Sequence, residues 1–115
     1  MRLTTVLITG MMFLTGVKAA AENNLEAGKA AYAVCTSCHG DQAQGNEALQ
    51  APRLTHLQPV YIAAQLQKFK SGIRGGTGSS SAAMQMAGMA ATLADEQAMH
   101  DVAAYIVSLD SAPAT

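Results

Sequence analysis

The chain has 115 residues and a formal net charge of −1, and its aromatic side chains are limited to three tyrosines and two phenylalanines. This length fits one domain, and the absence of a basic tract argues against nucleic acid as a partner. A small domain with few aromatic residues has little material for a core and often needs an additional staple.

The first 21 residues have the layout of a secretory signal. Arg2 is followed by an uncharged, mostly apolar run over residues 3–17 and then by alanines that allow cleavage after Ala21, or alternatively after Ala19. The run is short for a membrane span, which needs about 20 residues, although an uncleaved anchor stays an alternative. We therefore predict a signal peptide over residues 1–21, a single domain over residues 22–115, and a periplasmic protein of a bacterium with no membrane span after signal removal. Losing Arg2 and Lys18 leaves five basic against eight acidic residues, a formal charge of −3.

A first helix is predicted from Leu25 to about Val34. Asn24 precedes it as a plausible cap, and Glu26 lies in its first turn, where the helix dipole favours an acid. Gly28 and Tyr32 fall on one stripe with its first residue. The helix leads directly into the segment "CTSCHG".

That segment holds both cysteines of the chain, Cys35 and Cys38, and one of its three histidines, His39. Four interpretations compete for a CxxC pair followed by His: a structural disulfide, a thioredoxin-like redox pair, half of a zinc site, and covalent haem attachment. Zinc needs further ligands, and a thioredoxin-like pair should follow a strand rather than a helix. In the haem interpretation Cys35 and Cys38 form the two thioethers and His39 binds the iron, so every residue has a task. One covalently bound haem c is therefore the predicted cofactor, and it would also supply the missing core.

A second helix is predicted to begin at Pro59, which suits a first helical position, and to end near Gly72. Its apolar residues recur at helical intervals, and we expect that stripe to point inward: Ile62, Leu66, Phe69 and Ile73.

A stretch rich in Gly and Ser, residues 75–94, follows and is predicted to be a flexible loop. It contains Met84, Met86 and Met89, any of which could supply the second axial ligand of a haem iron, although clustered methionines are more commonly core fillers. The residues themselves leave the choice among the three open.

A third helix is predicted from about Asp95 to Leu109, with an inward stripe of Met99, Val102, Ala103, Ile106 and Leu109. Neither the loop over residues 75–94 nor the earlier one over residues 40–58 is rich in strand formers, so the predicted fold class is all-α, with three main helices and loops wrapped around one covalent haem. His56 and His100 are expected to be solvent-exposed rather than ligands.

The order of the segments "CTSCHG", "APRL", "YIAAQLQKFKSGIR", "MQMAGMAATLADEQ" and "VAAYIVSL" resembles that of the class I c-type cytochromes. The likeness is greatest to the haem units of bacterial two-haem periplasmic cytochromes and their one-haem relatives. It covers nearly the whole chain after the signal, and it is most specific at CxxCHG, QLxxFxxGxR and MxxMAxxL.

The resemblance implies a role for several further residues. Met86, seven residues before Leu93, corresponds to the axial methionine, with Met84 or Met89 as alternates. Pro52 corresponds to a proline whose carbonyl accepts a hydrogen bond from the proximal histidine, and Leu54 to a residue that packs on the haem.

The same resemblance places Gly28 and Tyr105 at the crossing of the first and last helices. Arg53 and Arg74 are candidates to reach a haem propionate. Where the family usually has Ser or Thr as a cap before the last helix this chain has Ala94, so capping falls to Asp95 or Thr92.

The function implied is that of a carrier of single electrons, not an enzyme, with a His/Met-ligated haem and redox proteins as partners: a dehydrogenase, a reductase or a terminal oxidase. The alternative is a haem subunit held tightly in a dehydrogenase or oxidase complex. A third hypothesis, an enzyme with an open iron such as a peroxidase, requires that no methionine binds the iron.

Overall fold

The computed structural model describes Gly10 and residues 22–111, so apart from Gly10 the predicted signal peptide lies outside the described residues. This part of the chain forms five α-helices: α1 (Leu25–Tyr32), α2 (Thr36–His39), α3 (Pro59–Lys70), α4 (Ser81–Ala90) and α5 (Glu96–Ser108). Short 3-10 helices occupy Glu47–Leu49 and Leu109–Ser111, and among the described residues extended pairing is limited to one isolated bridge between Asn46 and Ala51. The predicted all-α class is confirmed.

Helix α1 crosses α5 at Gly28. A β-carbon there would lie 2.1 Å from the Asp101 carbonyl oxygen and 3.0 Å from the Tyr105 β-carbon, so only glycine lets the two backbones approach this closely. The start of α1 is bonded to α5 as well, since the Asn24 backbone N–H donates to the buried Asp101 carboxylate at 2.8 Å. The crossing predicted for Gly28 and Tyr105 is therefore present.

Helices α3 and α5 pack against each other and form most of the core. On α5 the predicted stripe is buried at Met99, Val102, Ala103 and Ile106. On α3 Ile62 and Phe69 are buried as expected, but the expectation for Ile73 is wrong, because that side chain is 78% exposed. Helix α3 ends at Lys70 and Gly72 turns the chain with φ of 80°, so the helical stripe does not reach Ile73.

The largest departure from the sequence expectation is α4, which lies within the stretch predicted to be a flexible loop. The Ser80 side chain accepts a hydrogen bond from the Ala83 N–H at 3.3 Å and caps the helix, and the following residues are mostly Ala, Met and Gln, which are good helix formers. Buried Gly75 has φ of 78°, and a β-carbon there would lie 2.3 Å from the Ala83 carbonyl oxygen, so the turn after α3 packs closely on α4.

Of the two caps proposed for α5, the structure selects Asp95, whose carboxylate accepts from the Ala98 N–H at 2.8 Å. Thr92 instead donates its hydroxyl to the Met89 carbonyl at 2.6 Å and so closes the end of α4. Within the described residues, none of the helices has the length and apolarity needed to cross a membrane.

Candidate haem site

Helix α2 is a single turn that carries the CxxCH motif. Cys35 lies at its N-terminal cap position and donates its N–H to the Tyr32 carbonyl at 2.8 Å, which joins α2 closely to the end of α1. The Tyr32 hydroxyl donates to the Gly40 carbonyl at 2.7 Å, just after His39. Because burial raises the pKa of Tyr32 above its ordinary value, this hydroxyl remains a donor. The motif is thus anchored at both ends.

His39 is buried, and its ring Nδ1 lies 2.8 Å from the Pro52 carbonyl oxygen. Since a carbonyl can only accept, Nδ1 carries the proton, and the Nε2 lone pair is left for another partner. This is the contact that the family resemblance implies for Pro52.

The loop between the two residues is fixed by backbone hydrogen bonds, because Gly45 N–H donates to the His39 carbonyl at 2.8 Å and Leu54 N–H to the Ala43 carbonyl at 2.9 Å. Gly45 has φ of 80°, and a β-carbon there would lie 2.6 Å from the backbone nitrogen of Arg53. The loop therefore holds the Pro52 carbonyl in place against the histidine.

Two adjoining cavities lie beside this motif, with volumes of about 290 Å³ and about 520 Å³. We call them the first and the second cavity. They share a wall built from α2, the following loop, α3, α4 and α5: Cys35, His39, Gln50, Pro52, Leu66, Ala82, Met86 and Val102. One crevice thus runs between the CxxCH motif and the methionine helix.

The two cysteines lie at different depths in this crevice. Cys35 is partly buried and borders both cavities, and burial raises the pKa of its thiol. Cys38 is exposed and borders only the first cavity. The two sulfurs are not joined as a disulfide.

The three candidate methionines differ in what they face. Met86 is half-buried and borders both cavities, while Met89 borders only the first and is 37% exposed. Met84 is 48% exposed and borders neither cavity. Met86 and Met89 are three residues apart on α4, which puts them on one face of the helix, whereas Met84 points elsewhere.

The lining of the first cavity contains no Asp, Glu, Lys or Arg. The second cavity is bordered by two charged residues, Arg53 and Arg74. Arg53 is hydrogen-bonded to Thr55 and His56, and Arg74 donates to the Gln65 side chain at 2.8 Å while its guanidinium stacks over the Phe69 ring. Leu54 borders this cavity as well. As expected, the other two histidines are exposed and border neither cavity, with side chains 69% exposed at His56 and 44% at His100.

Several residues of the crevice were not singled out as site residues by sequence reasoning. Leu66 and Val102 were recognised only as members of apolar helical stripes, which does not distinguish a cavity wall from an ordinary core. Gln50 and Ala82 carry no signal at all in a single sequence. Gln50 reaches the crevice because its left-handed backbone, with φ of 54°, turns the chain at the end of the 3-10 helix.

The residues present fit a covalently attached haem. The walls are predominantly apolar, one imidazole nitrogen is left for a metal, a thioether sulfur lies on the opposite helix, and two thiols lie at the edge. The two arginines suit the carboxylates of a porphyrin.

An all-α chain with a CxxCH motif at such a crevice has the features of a class I c-type cytochrome. Comparison with known proteins agrees: the family model described as "Cytochrome c" matches residues 25–110, and the chain belongs to this family. It is 38% identical over 109 residues to the protein named cytochrome c4 from Stutzerimonas stutzeri, a match that covers 92% of this chain and 47% of that protein. The chain therefore spans about half the length of this relative.

These matches confirm the resemblance predicted from the sequence and the cofactor that it implied. The protein is a c-type cytochrome with covalently bound haem c, and Cys35, Cys38 and His39 form its CxxCH motif.

Proposed function

We propose that this cytochrome carries single electrons through a haem whose iron is bound by His39 on one side and Met86 on the other. The observation that carries the proposal is the position of Met86: it borders the same two cavities as His39 but lies on α4, a separate element. When bound, haem iron supplies a one-electron ferric/ferrous couple. The chain's own residues bind it, orient it and exclude water.

Each of these tasks has its residues. The Pro52 carbonyl holds the proton on His39 Nδ1, which makes Nε2 the ligand atom and increases its basicity. Leu54, Leu66 and Val102 offer apolar surface to the ring. An apolar site and a methionine ligand both raise the reduction potential of a haem. If His39 and Met86 both bind the iron, no coordination site would be left for a substrate, which favours electron transfer over catalysis.

The exit for electrons in this proposal is the mouth of the first cavity. Its lining contains the exposed Cys38 and no Asp, Glu, Lys or Arg. Redox partners such as a dehydrogenase, a reductase or a terminal oxidase would approach there through a small transient contact, as suits rapid exchange.

Replacing Met86 by Ala tests the ligand assignment. We expect the ferric iron–sulfur charge-transfer band to disappear, the sixth position to open to water or added imidazole, and the reduction potential to fall, with the haem still covalently attached. Absorption spectra in both oxidation states and a potentiometric titration measure these changes.

Met84→Ala and Met89→Ala are the matched controls, and both should keep the band. If one of them loses it while Met86→Ala keeps it, the ligand is that residue and Met86 is not. If the parent and all three variants lack the band, the His/Met ligation is wrong and an open-iron enzyme becomes the better hypothesis.

The proposed location is the bacterial periplasm. It is supported by the signal-like layout of residues 1–21 and by thioether formation, which needs reduced cysteines that meet haem outside the cytoplasm. The purified protein should then begin near Glu22.

A second candidate function, a haem subunit held tightly in a dehydrogenase or oxidase complex, is favoured by two exposed apolar side chains at the first cavity. Val34 and Leu49 are both 50% exposed there. Apolar surface of this kind is typical of permanent contacts. Purification of the native protein under mild conditions distinguishes the two functions, because a free carrier elutes at the mass of one chain and a subunit elutes with its partner.

A further inference from the structure

Lys70, the last residue of α3, reaches the segment that follows α4. Its ammonium donates to the Leu93 carbonyl and, at 3.2 Å, to the Ala94 carbonyl. Both carbonyls lie between α4 and α5, and within residues 22–111 no backbone N–H donates to either of them. The Lys70 side chain is therefore the donor that the described part of the chain provides for this turn.

The charge of Lys70 is placed at the end of a helix and not beside an acid. The side chain makes no ion pair with a carboxylate among the described residues. Its ammonium lies just beyond the C-terminal end of α4, where the helix dipole favours a cation. Because ordering a long side chain costs conformational entropy, a lysine that serves solubility alone would extend into water. The two carbonyl contacts indicate instead that Lys70 stabilises this end of α4.

Helix α4 depends on contacts of this kind. It has 10 residues, and isolated helices shorter than about 12–15 residues are marginal in water. It packs mainly on α3. Near its start, the turn after α3 lies against it through Gly75 and Ala83, and after its end the chain folds back, since the Leu93 N–H donates to the Ala90 carbonyl at 3.1 Å. Lys70 joins this folded end to α3.

Met86 lies between these two attachments, three residues after Ala83 and seven before Leu93. Leu93 is 7% exposed and borders the first cavity, so the residue whose carbonyl accepts from Lys70 is also a wall of the crevice. Lys70 itself borders neither cavity. Its effect on the crevice must therefore pass through the segment that carries Met86.

We propose that Lys70 is a positioning residue for the sixth ligand of the haem iron: its ammonium holds the end of the α4 segment on α3 and thereby keeps the Met86 sulfur at the crevice. The proposal rests on the ligation by Met86 argued above. Without the Lys70 contacts the end of α4 can move away from α3, and iron-bound Met86 is less favoured. An added ligand that competes for the same coordination position should then bind more tightly.

The experiment is an imidazole titration of the ferric, haem-loaded protein, followed by absorbance, with parent, Lys70→Leu and Lys70→Arg compared. Leucine keeps part of the apolar stem but has neither charge nor donor, whereas arginine keeps both. A hydrogen bond to a charged group corresponds to roughly a factor of ten in an equilibrium constant. We therefore expect Lys70→Leu to bind imidazole about tenfold more tightly than the parent, and Lys70→Arg to restore the parent affinity to within about twofold.

Lys68→Leu is the matched control. Lys68 is exposed, lies on the same helix, and its side chain makes no hydrogen bond or ion pair within residues 22–111. This variant removes the same charge and should leave the imidazole affinity within about twofold of the parent. If Lys68→Leu raises the affinity as much as Lys70→Leu does, the change comes from net charge and the proposal is overturned.

A role of Lys70 in stability alone is distinguished by chemical denaturation of the same variants. If Lys70→Leu lowers the free energy of unfolding but binds imidazole with the parent affinity, the proposal is wrong. If Lys70→Leu does not fold, the same titration of Lys70→Gln, which keeps a neutral donor, decides: a raised affinity supports the proposal and the parent affinity overturns it. A parent without the iron–sulfur band would show that the ligation by Met86 fails, and this proposal with it, before any imidazole is added.

Discussion

At the scale of single residues, the site depends on side chains whose hydrogen bonds fix one tautomer or one donor. His39 can present Nε2 to a metal because the Pro52 carbonyl occupies Nδ1, and Tyr32 closes the turn after the motif because its hydroxyl reaches Gly40. Tyr32 is also among the most buried side chains of the chain, 1% exposed, and its ring centroid lies 5.5 Å from that of Tyr105. The motif is thus held in place by residues outside the proposed ligand set.

Tyr32→Phe should lower the free energy of unfolding by about 1–2 kcal/mol, because the ring still fills its site while the Gly40 carbonyl loses its donor. Chemical denaturation followed by circular dichroism measures the change.

Tyr105→Phe is the control for that variant, since the Tyr105 hydroxyl makes no hydrogen bond within residues 22–111. This variant should lower the free energy of unfolding much less than Tyr32→Phe does. Equal losses in the two variants would mean that the bond to Gly40 contributes nothing measurable.

At the scale of elements, the position of α1 on α5 determines where the CxxCH motif lies. Helix α1 ends at Tyr32 and α2 begins only four residues later, so any shift of α1 moves the cysteines. The close crossing depends on the absence of a side chain at Gly28. On the other side of the crevice, the turn after α3 packs on the start of α4 through Gly75 and Ala83. The Lys70 ammonium at the end of α3 donates to the Ala94 carbonyl, beyond the end of α4, at 3.2 Å.

Gly28→Ala should be destabilising by about 1–3 kcal/mol, although alanine is the better helix former by about 1 kcal/mol. The added β-carbon would meet backbone atoms of α5, which cannot turn aside as a flexible side chain could. Thermal unfolding of the haem-loaded protein measures the loss.

Lys29→Ala, at the exposed neighbouring position on α1, should change stability by less than about 0.5 kcal/mol. If Gly28→Ala proves as stable as this control, the crossing is looser than the structure indicates.

At the scale of the whole molecule, much of the interior between α2, α3, α4 and α5 is cavity and not packed side chains. Two adjoining cavities of about 290 Å³ and about 520 Å³ are large for a chain whose buried apolar side chains are few and mostly small or medium in size. The covalent haem therefore supplies much of the apolar surface around which the helices pack. This explains how a chain with so few aromatic residues can fold.

Replacing both Cys35 and Cys38 by Ala should give a chain with little helix by circular dichroism, or one that is degraded during export, because neither sulfur can hold the haem. The parent, purified in parallel, should have the mass of a chain that begins near Glu22 and carries one haem. A haem-free double variant that is well folded, with the helix content of the parent, would refute the role of the haem as core.

Most of the fold was predictable because local patterns report it directly. The apolar stripes of α3 and α5, Pro59 at the first position of α3 and Asn24 before α1 each depend on a few neighbouring residues. Helix α4 was missed because the glycines and serines before it suggest a loop, whereas the cap at Ser80 and the helix formers after it decide the structure. Ile73 was wrongly predicted to lie on the inward stripe of α3, because the end of a helix is harder to predict than its periodicity.

For the site, the sequence alone determined the cofactor: CxxCH indicates a covalent haem, and it makes His39 the proposed ligand because the three residues act together within one turn. The sequence pattern did not distinguish Met84, Met86 and Met89 as candidate ligands, and only the family resemblance favoured Met86. The tertiary structure decided which methionine borders both of the cavities that His39 borders, that the Pro52 carbonyl meets His39, and that His56 is hydrogen-bonded to both Arg53 and Asp110. These contacts join residues from 3 to 54 positions apart in the chain, and the pairing of distant residues depends on how helices pack, which no local pattern encodes.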